Sequence, residues 1–249
     1  MSLETFNLIC LIWACMGIAT FVLLQFVRAP YGRHIEKGWG PEISNKIGWI
    51  IMELPSFLIV LFFFLISNQS NYAIMLSFLW LIHYFNRTFI YPLRIRTQGK
   101  KMPLAITISA VFFNFINAGL NGYFLSVFEQ YDSNNFQSWN FYVGISLFVI
   151  SFITNQISDH MLIHLRKPGE TGYKIPKGFL FNYISCPNHL SEILQWTGFA
   201  FMAWNYPATC FLIWTVANLI PRASGHHKWY QKHFKDYPIN RKALIPKIW

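Results

Sequence analysis

Charge is what this sequence has least of. Only 12% of its 249 residues are Asp, Glu, Lys or Arg, about half the share of an average soluble domain, whereas 54% are hydrophobic and 19% aromatic. That balance excludes an ordinary soluble globule and indicates a membrane protein. Acidic side chains are the scarcer sign, ten against 20 Lys and Arg, for a net charge of +10. In a soluble protein such a balance would suggest a nucleic-acid partner, but here the placement of the basic residues accounts for it, so no nucleic acid is expected. Cysteine is scarce too: Cys10, Cys15, Cys186 and Cys210 form no CxxC pair and lie mostly in or beside apolar runs. This excludes a disulfide framework or a zinc site and leaves them as core residues. No GxGxxG is present, so nothing binds on a Rossmann turn. The histidines are too few and too scattered for a membrane diiron centre. His160 and His164 are at i,i+4 and His226 adjoins His227, but His34, His83 and His189 stand alone, and no metal is expected. The N-terminus lacks the basic n-region and small-residue cleavage site of a signal peptide, and its first apolar run is expected to be a retained anchor.

Seven segments are apolar enough to span or nearly span a bilayer: Leu8 to Val27, Ile47 to Ile66, Tyr72 to Ile90, Ala105 to Val127, Phe141 to Ile163, Leu190 to Ala203 and Tyr206 to Ile220. The last two are short and are joined by Trp204-Asn205-Tyr206-Pro207, which predicts a helical hairpin. Of the 20 basic residues, 19 come after the first, third, fifth and seventh segments, and Arg87 alone lies inside one. The intervening connections carry none. This alternation predicts an all-α, multi-pass membrane bundle of seven transmembrane helices, with the N-terminus outside and the C-terminus cytosolic. No linker divides the chain, so 1–249 is expected to form one membrane-embedded domain.

A carboxylate in a spanning helix suggests function by default. Glu53 lies about six residues past the cytosolic start of the second span, roughly 9 Å deep. Tyr84 lies at a similar depth on the third, an antiparallel neighbour. The two can face each other as donors to a carbonyl oxygen in an apolar cavity. The plainer alternative is that Glu53 serves a backbone kink at Pro55 while Tyr84 only packs. The densest polar stretch runs from Asn155 to Trp196. Asn155, Asp159 and Arg166 share one face of the fifth span, and Asn188, Glu192 and Trp196 one face of the sixth, flanking the loop from Arg166 to Pro187. An interhelical salt bridge would explain these faces, and so would a nucleotide whose amide, riboses and phosphates each need partners.

Several ordered motifs carry a resemblance. They are Tyr31-Gly-Arg-His, Glu53-Leu-Pro-Ser-Phe, His83-Tyr-Phe-Asn-Arg-Thr-Phe-Ile-Tyr91, Leu165-Arg-Lys-Pro-Gly-Glu170 and Tyr173-Lys-Ile-Pro. Then come Asn188 with Glu192 and Trp196, Arg222-Ala with His226-His-Lys-Trp-Tyr230, and Asp236-Tyr-Pro with Arg241-Lys-Ala-Leu-Ile-Pro246 after it. Over nearly its whole length the chain resembles the steroid 5α-reductase family, with Ser224-Gly225 in place of bulkier residues. The resemblance implies NADPH-dependent reduction of the Δ4 double bond of 3-oxo steroids. Glu53 and Tyr84 are similar to the family's pair that holds the 3-keto oxygen. Tyr31, Arg87, Arg96, Asn155, Asp159, Arg166, Tyr173, Asn188, Glu192, Arg222, His226 and Tyr230 are similar to its cofactor-binding set. Residues 1–127 would then mainly line the substrate cavity and 128–249 mainly hold the cofactor, in a monomer in a bacterial inner membrane or endoplasmic reticulum with the cofactor site facing the cytosol.

Three other functions share some of these features. A membrane enoyl-thioester reductase would share the cofactor site. An isoprenylcysteine-type methyltransferase would need S-adenosylmethionine and gives no reason for Glu53 with Tyr84. A sterol carrier or transporter would use Glu53 as a relay and move substrate without oxidising NADPH.

Overall fold

A computed structural model describes residues 1–27, 38–97, 99–167 and 169–249. Apolar sequence in a bilayer must satisfy its backbone internally, and the described residues do so almost entirely in helices. Helix α1 spans Leu3–Phe26, its first turn capped by the Ser2 hydroxyl, which accepts from Thr5 N–H. A short strand β1 (Glu42–Ser44) leads into α2 (Asn45–Ile66), which carries Pro55 inside it. Helix α3 (Asn71–Phe85) continues through a π-helical turn, Asn86–Ile90, into a single turn α4 (Tyr91–Arg94). Strand β2 (Lys101–Pro103) pairs antiparallel with β1, Ile43 opposite Met102. This ribbon is a departure from the all-α expectation. It arises where two loops run side by side and start α2 and α5 (Leu104–Tyr123) as neighbours. Helices α6 (Trp139–His164), α7 (Pro187–Ala203) and α8 (Tyr206–His233) complete the bundle.

Among the described residues, five helical segments are long and apolar enough to cross a membrane: Leu3–Phe26, Asn45–Ile66, Asn71–Arg94, Leu104–Phe128 and Trp139–His164. The first five expected spans fall on them. Helix α7 is 17 residues and heavily buried, and α8 runs 28 residues, well past the expected end at Ile220. The expected hairpin between them is present. Trp204 takes a left-handed conformation (φ 44°) and Asn205 accepts from Ala208 N–H, so the turn is these two residues and Pro207 already lies in the first turn of α8.

Helix α6 meets α7 backbone to backbone at two glycines. A Cβ on Gly144 would come 2.7 Å from the Gly198 carbonyl oxygen, and one on Gly198 would come 2.6 Å from that of Gly144. Small residues allow this approach, as is common between helices in membranes. The crossing brings the C-terminal end of α6 and the N-terminal end of α7, which carry most of their polar residues, together. Beside it, the buried aromatics Trp80, Tyr84, Trp196, Phe199 and Phe211 form one cluster around α3 and α7. The chain's end clamps the segment before α7. Ser185 N–H donates to Lys242 O, Lys242 N–H to Tyr183 O, and the buried Arg241 to Pro176 O.

Candidate active site

Arg87 is the hub of the buried polar residues. It lies in the π-helical turn, a feature that often marks functional sites. Its Nη2 is 4.0 Å from Glu53 Oε1 and 4.0 Å from Glu192 Oε2, and its Nη1 is 3.7 Å from Asp159 Oδ2. The guanidinium also lies 4.8 Å from the Trp49 ring and 5.0 Å from the Tyr91 ring, which meet each other edge to face. Three carboxylates from α2, α6 and α7 thus face one cation from the α3 extension. Formal negative charge is in excess, so this end of the site suits a ligand's hydrogen-bond donors rather than a phosphate. Asp159 Oδ2 is buried and, beyond its 3.7 Å ion pair with Arg87, accepts no hydrogen bond among the described residues, an acceptor left open.

Glu53 is fixed from a second side. The amide of Asn114, on α5 and only 4% exposed, donates to Met52 O at 2.6 Å and to Glu53 Oε2 at 3.4 Å. Tyr84 is buried, stacks on Trp80 at 5.1 Å and packs against His83 and Trp196. Its hydroxyl lies close enough to Glu53 to feel its charge. The Trp80 indole N–H donates to Ser56 O, fixing the ring that backs Tyr84 to the turn after Glu53. His83 accepts from the buried Gln195 amide, tying α3 to α7.

The polar faces of α6 and α7 are joined directly: Asn155 Nδ2 donates to Asn188 O at 2.9 Å. Arg222, on α8, donates to Asn218 and interacts electrostatically with Glu53. His226 lies beside His189, with ring centroids 5.6 Å apart, and Tyr230 stacks on Tyr237 at 5.3 Å. A second, basic group gathers in the loops. Arg96 donates to Arg166 O, Arg166 donates to Gly172 O, and Lys100 donates to the Tyr173 hydroxyl while lying 4.8 Å from its ring. Tyr173 in turn meets Trp229. The expected site residues therefore divide into a buried acidic end around Arg87 and an exposed basic end around Arg96, Arg166 and Tyr173. Tyr31 lies outside the described residues.

This geometry accompanies extensive sequence likeness. A family model described as 3-oxo-5-alpha-steroid 4-dehydrogenase matches residues 100–249. The chain is 40% identical over 243 residues to a protein named steroid 5-alpha-reductase DET2 from Gossypium hirsutum, covering 94% of this chain and 93% of that one. It is 39% identical to the protein of the same name from Arabidopsis thaliana, with coverage of 99% and 98%. It is 37% identical to 3-oxo-5-alpha-steroid 4-dehydrogenase 1 from Bos taurus, with coverage of 93% and 92%.

The chain belongs to the steroid 5α-reductase family.

Some contacts in this member of the steroid 5α-reductase family escaped the sequence reading. Asn114 carries one visible signal: Asn114, Asn117 and Asn121 recur at helical spacing within an apolar segment. Nothing in the sequence points Trp49 and Tyr91 at Arg87, because their contact depends on the π turn. The Ser185 hydroxyl, hydrogen-bonded to His227 at 2.7 Å and Tyr237 at 2.6 Å, likewise depends on the C-terminal tail folding back.

Proposed function

We propose that the chain is an NADPH-dependent 3-oxo-5α-steroid 4-dehydrogenase, reducing the Δ4 double bond of 3-oxo-Δ4 steroids to the 5α-dihydro products. The observation that carries this reading is the convergence of Glu53, Tyr84 and Arg87, from the α2–α3 hairpin, with Asp159 and Glu192 in one buried cluster. A salt bridge alone would need one carboxylate, not three. The site fits a nicotinamide nucleotide by its chemistry. The open acceptor Asp159 Oδ2, with Glu192, Asn155 and Asn188, suits amide and ribose donors, and Arg96, Arg166 and Tyr173 suit phosphates. Arg222, His226 and Tyr230 complete that set on α8, with Tyr31 from the first loop.

In this mechanism Glu53, a carboxylate beside Arg87 at rest, takes up a proton as the steroid enters its dry site, and Tyr84 Oη–H and the Glu53 carboxyl then donate to the 3-keto oxygen and draw electron density from the conjugated double bond. A bound NADPH supplies the hydride that the enone β-carbon accepts. As negative charge grows on the keto oxygen, the same two donors hold it, donors preorganised in a dry site acting most strongly at that moment, and the α-carbon of the enolate then takes up a proton from water to give the saturated ketone. Asn114 and Trp80 keep Glu53 and Tyr84 from turning away. Residues 1–127 mainly present the steroid and 128–249 mainly hold the cofactor, with Arg87 bridging them. The proposed topology has seven spans with the N-terminus outside and the C-terminus and cofactor site cytosolic, and the protein acts as a monomer.

The test is NADPH absorbance in the purified protein with a 3-oxo-Δ4 steroid and, separately, an enoyl-CoA. Steroid-dependent oxidation is expected, and it should fall about a hundredfold or more in Glu53→Gln and Tyr84→Phe. Full turnover in both variants would remove their assigned roles, and oxidation with enoyl-CoA alone would replace the substrate.

A further inference from the structure

A groove of about 610 Å³ runs along the outside of the bundle between α3 and α6, and Glu53, Arg87, Asp159 and Glu192 do not line it. Its wall is apolar, with Phe78, Phe85 and Ile82 of α3 exposed at 58%, 48% and 36%. Three polar residues interrupt it: Asn86, Gln156 and, at the end, Arg94. The Arg94 guanidinium donates to His160 Nδ1 at 3.1 Å, and no carboxylate lies within 4.0 Å of it among the described residues. His160 stacks on His164, so the groove ends on a cation able to donate to an anion, one that feels the Asp159 charge but has no carboxylate within 4.0 Å among the described residues. Asn86 is 7% exposed yet makes no side-chain hydrogen bond among the described residues, and neither does Gln156. An amide at membrane depth without a partner is costly, and the groove is where a partner would come from.

The spacing selects the occupant. From Phe78 to Arg94 the helical rise gives about 24 Å, close to one leaflet of a bilayer from headgroup to chain end, roughly 20–22 Å. A four-ring steroid is much shorter. Gln156 lies one turn before His160, about 6 Å further in, where the ester carbonyls of a glycerophospholipid sit below its phosphate. We propose that this groove is a binding site for one anionic glycerophospholipid, its phosphate on Arg94 and His160, an ester carbonyl accepting from Gln156, and an acyl chain along Phe85, Ile82 and Phe78. Charge complementarity argues for the anionic headgroup, because a juxtamembrane cation attracts anionic lipid by about 1 kcal/mol and zwitterionic lipid much less.

The test is native mass spectrometry of the full-length protein incubated with equal amounts of phosphatidylglycerol and phosphatidylcholine of identical acyl chains. The wild type should retain phosphatidylglycerol about fivefold over phosphatidylcholine. Arg94→Gln should bring the ratio near one without loss of phosphatidylcholine. Gln156→Leu should lower retention of both lipids severalfold, and it keeps the proposal exposed if Arg94→Gln fails to fold. Equal retention by the wild type, an unchanged ratio in Arg94→Gln, full retention in Gln156→Leu, or displacement of the lipid by a 3-oxo-Δ4 steroid would each overturn it.

Discussion

Removing Arg87 should be far more damaging than removing any one of its carboxylate partners, because the charges around it are unequal in number. Its guanidinium is only 13% exposed and faces Glu53, Glu192 and Asp159 at 3.7–4.0 Å. At 4 Å and an effective dielectric constant near 20, each such pair is worth about 4 kcal/mol of attraction, but much of that offsets the cost of burying the charges. Arg87→Met leaves three carboxylates with only the more distant Arg222, felt by Glu53, and Arg94, felt by Asp159, to offset them. Breaking a buried pair in this way typically costs about 3–5 kcal/mol. For a chain of this size, 1 kcal/mol moves the midpoint by about 2–4 °C, so the Tm of the detergent-solubilised protein should fall by roughly 10 °C or more. Glu192→Gln keeps the shape, leaves Arg87 facing two carboxylates and relieves a repulsion between acids, so its Tm should move by only a few degrees. In the double variant, Arg87→Met should cost measurably less than it does alone, since fewer unpaired charges remain. Thermal unfolding monitored by tryptophan fluorescence reads all three. Equal losses from Arg87→Met and Glu192→Gln, or a double variant no better than additive, would refute the claim that one cation holds three acids.

Asn114→Ala should lower kcat with a 3-oxo-Δ4 steroid by about tenfold while leaving the KM for NADPH unchanged, because the amide holds Glu53 and Met52 rather than the nucleotide end. Initial rates against each substrate separate the two effects, and a raised NADPH KM alone would contradict the assignment. Gly198→Ala should destabilise by about 1–3 kcal/mol, since its Cβ would meet the α6 backbone at 2.6 Å, whereas Gly119→Ala, with nothing within 4 Å, should be neutral or slightly stabilising. Tm values in the reverse order would disprove the close α6–α7 crossing. Lys174 beside Glu170, aided by the Lys167 N–H, holds the Glu170 carboxyl below the usual glutamate range. With the folded pKa depressed, the loop gains its contribution above the ordinary glutamate pKa and loses it as pH falls through the lower folded value. Limited proteolysis between Arg166 and Lys177 should therefore accelerate only in acid, and Glu170→Gln should abolish that pH dependence.

The sequence carries the bundle plainly, because an apolar run of spanning length has few alternatives in lipid, and α1 to α6 fall where hydropathy put them. It says less about α8. There the apolar run stops near Ile220, but the helix continues to His233, because its C-terminal part packs through Ala223 and Tyr230 rather than through uniform hydrophobicity. Glu53 stood out as an acid in an apolar helix, and the i,i+4 faces of α6 and α7 stood out by spacing; between them the Asn155 amide donates to the Asn188 main-chain oxygen. Distance along a helix did not show which end of the site each residue joins. Arg166 and Asp159 share a face in sequence, yet Asp159 meets Arg87 inside the bundle while Arg166 bonds to Gly172 in the loop.

What no periodicity could show is that two backbone irregularities lie beside the site. Pro55 removes one N–H from α2 two residues after Glu53, and the π turn adds a residue to the end of α3 at Arg87. In a membrane such breaks persist only where side chains satisfy the loosened backbone. Side chains also bond the α2 backbone around the proline: Asn114 donates to Met52 O and Trp80 to Ser56 O, one on each side of it. The extra residue of the π turn rotates the α4 end of the helix by about 100°. It thereby lets Tyr91 lie against Arg87 while Arg94 reaches His160 on the other side. The groups that hold the α2 backbone beside Pro55 are also those that aim the site, since Asn114 bonds to Glu53 and Trp80 backs Tyr84. A change that straightened either helix would misplace the carbonyl-facing pair even with every charged residue retained.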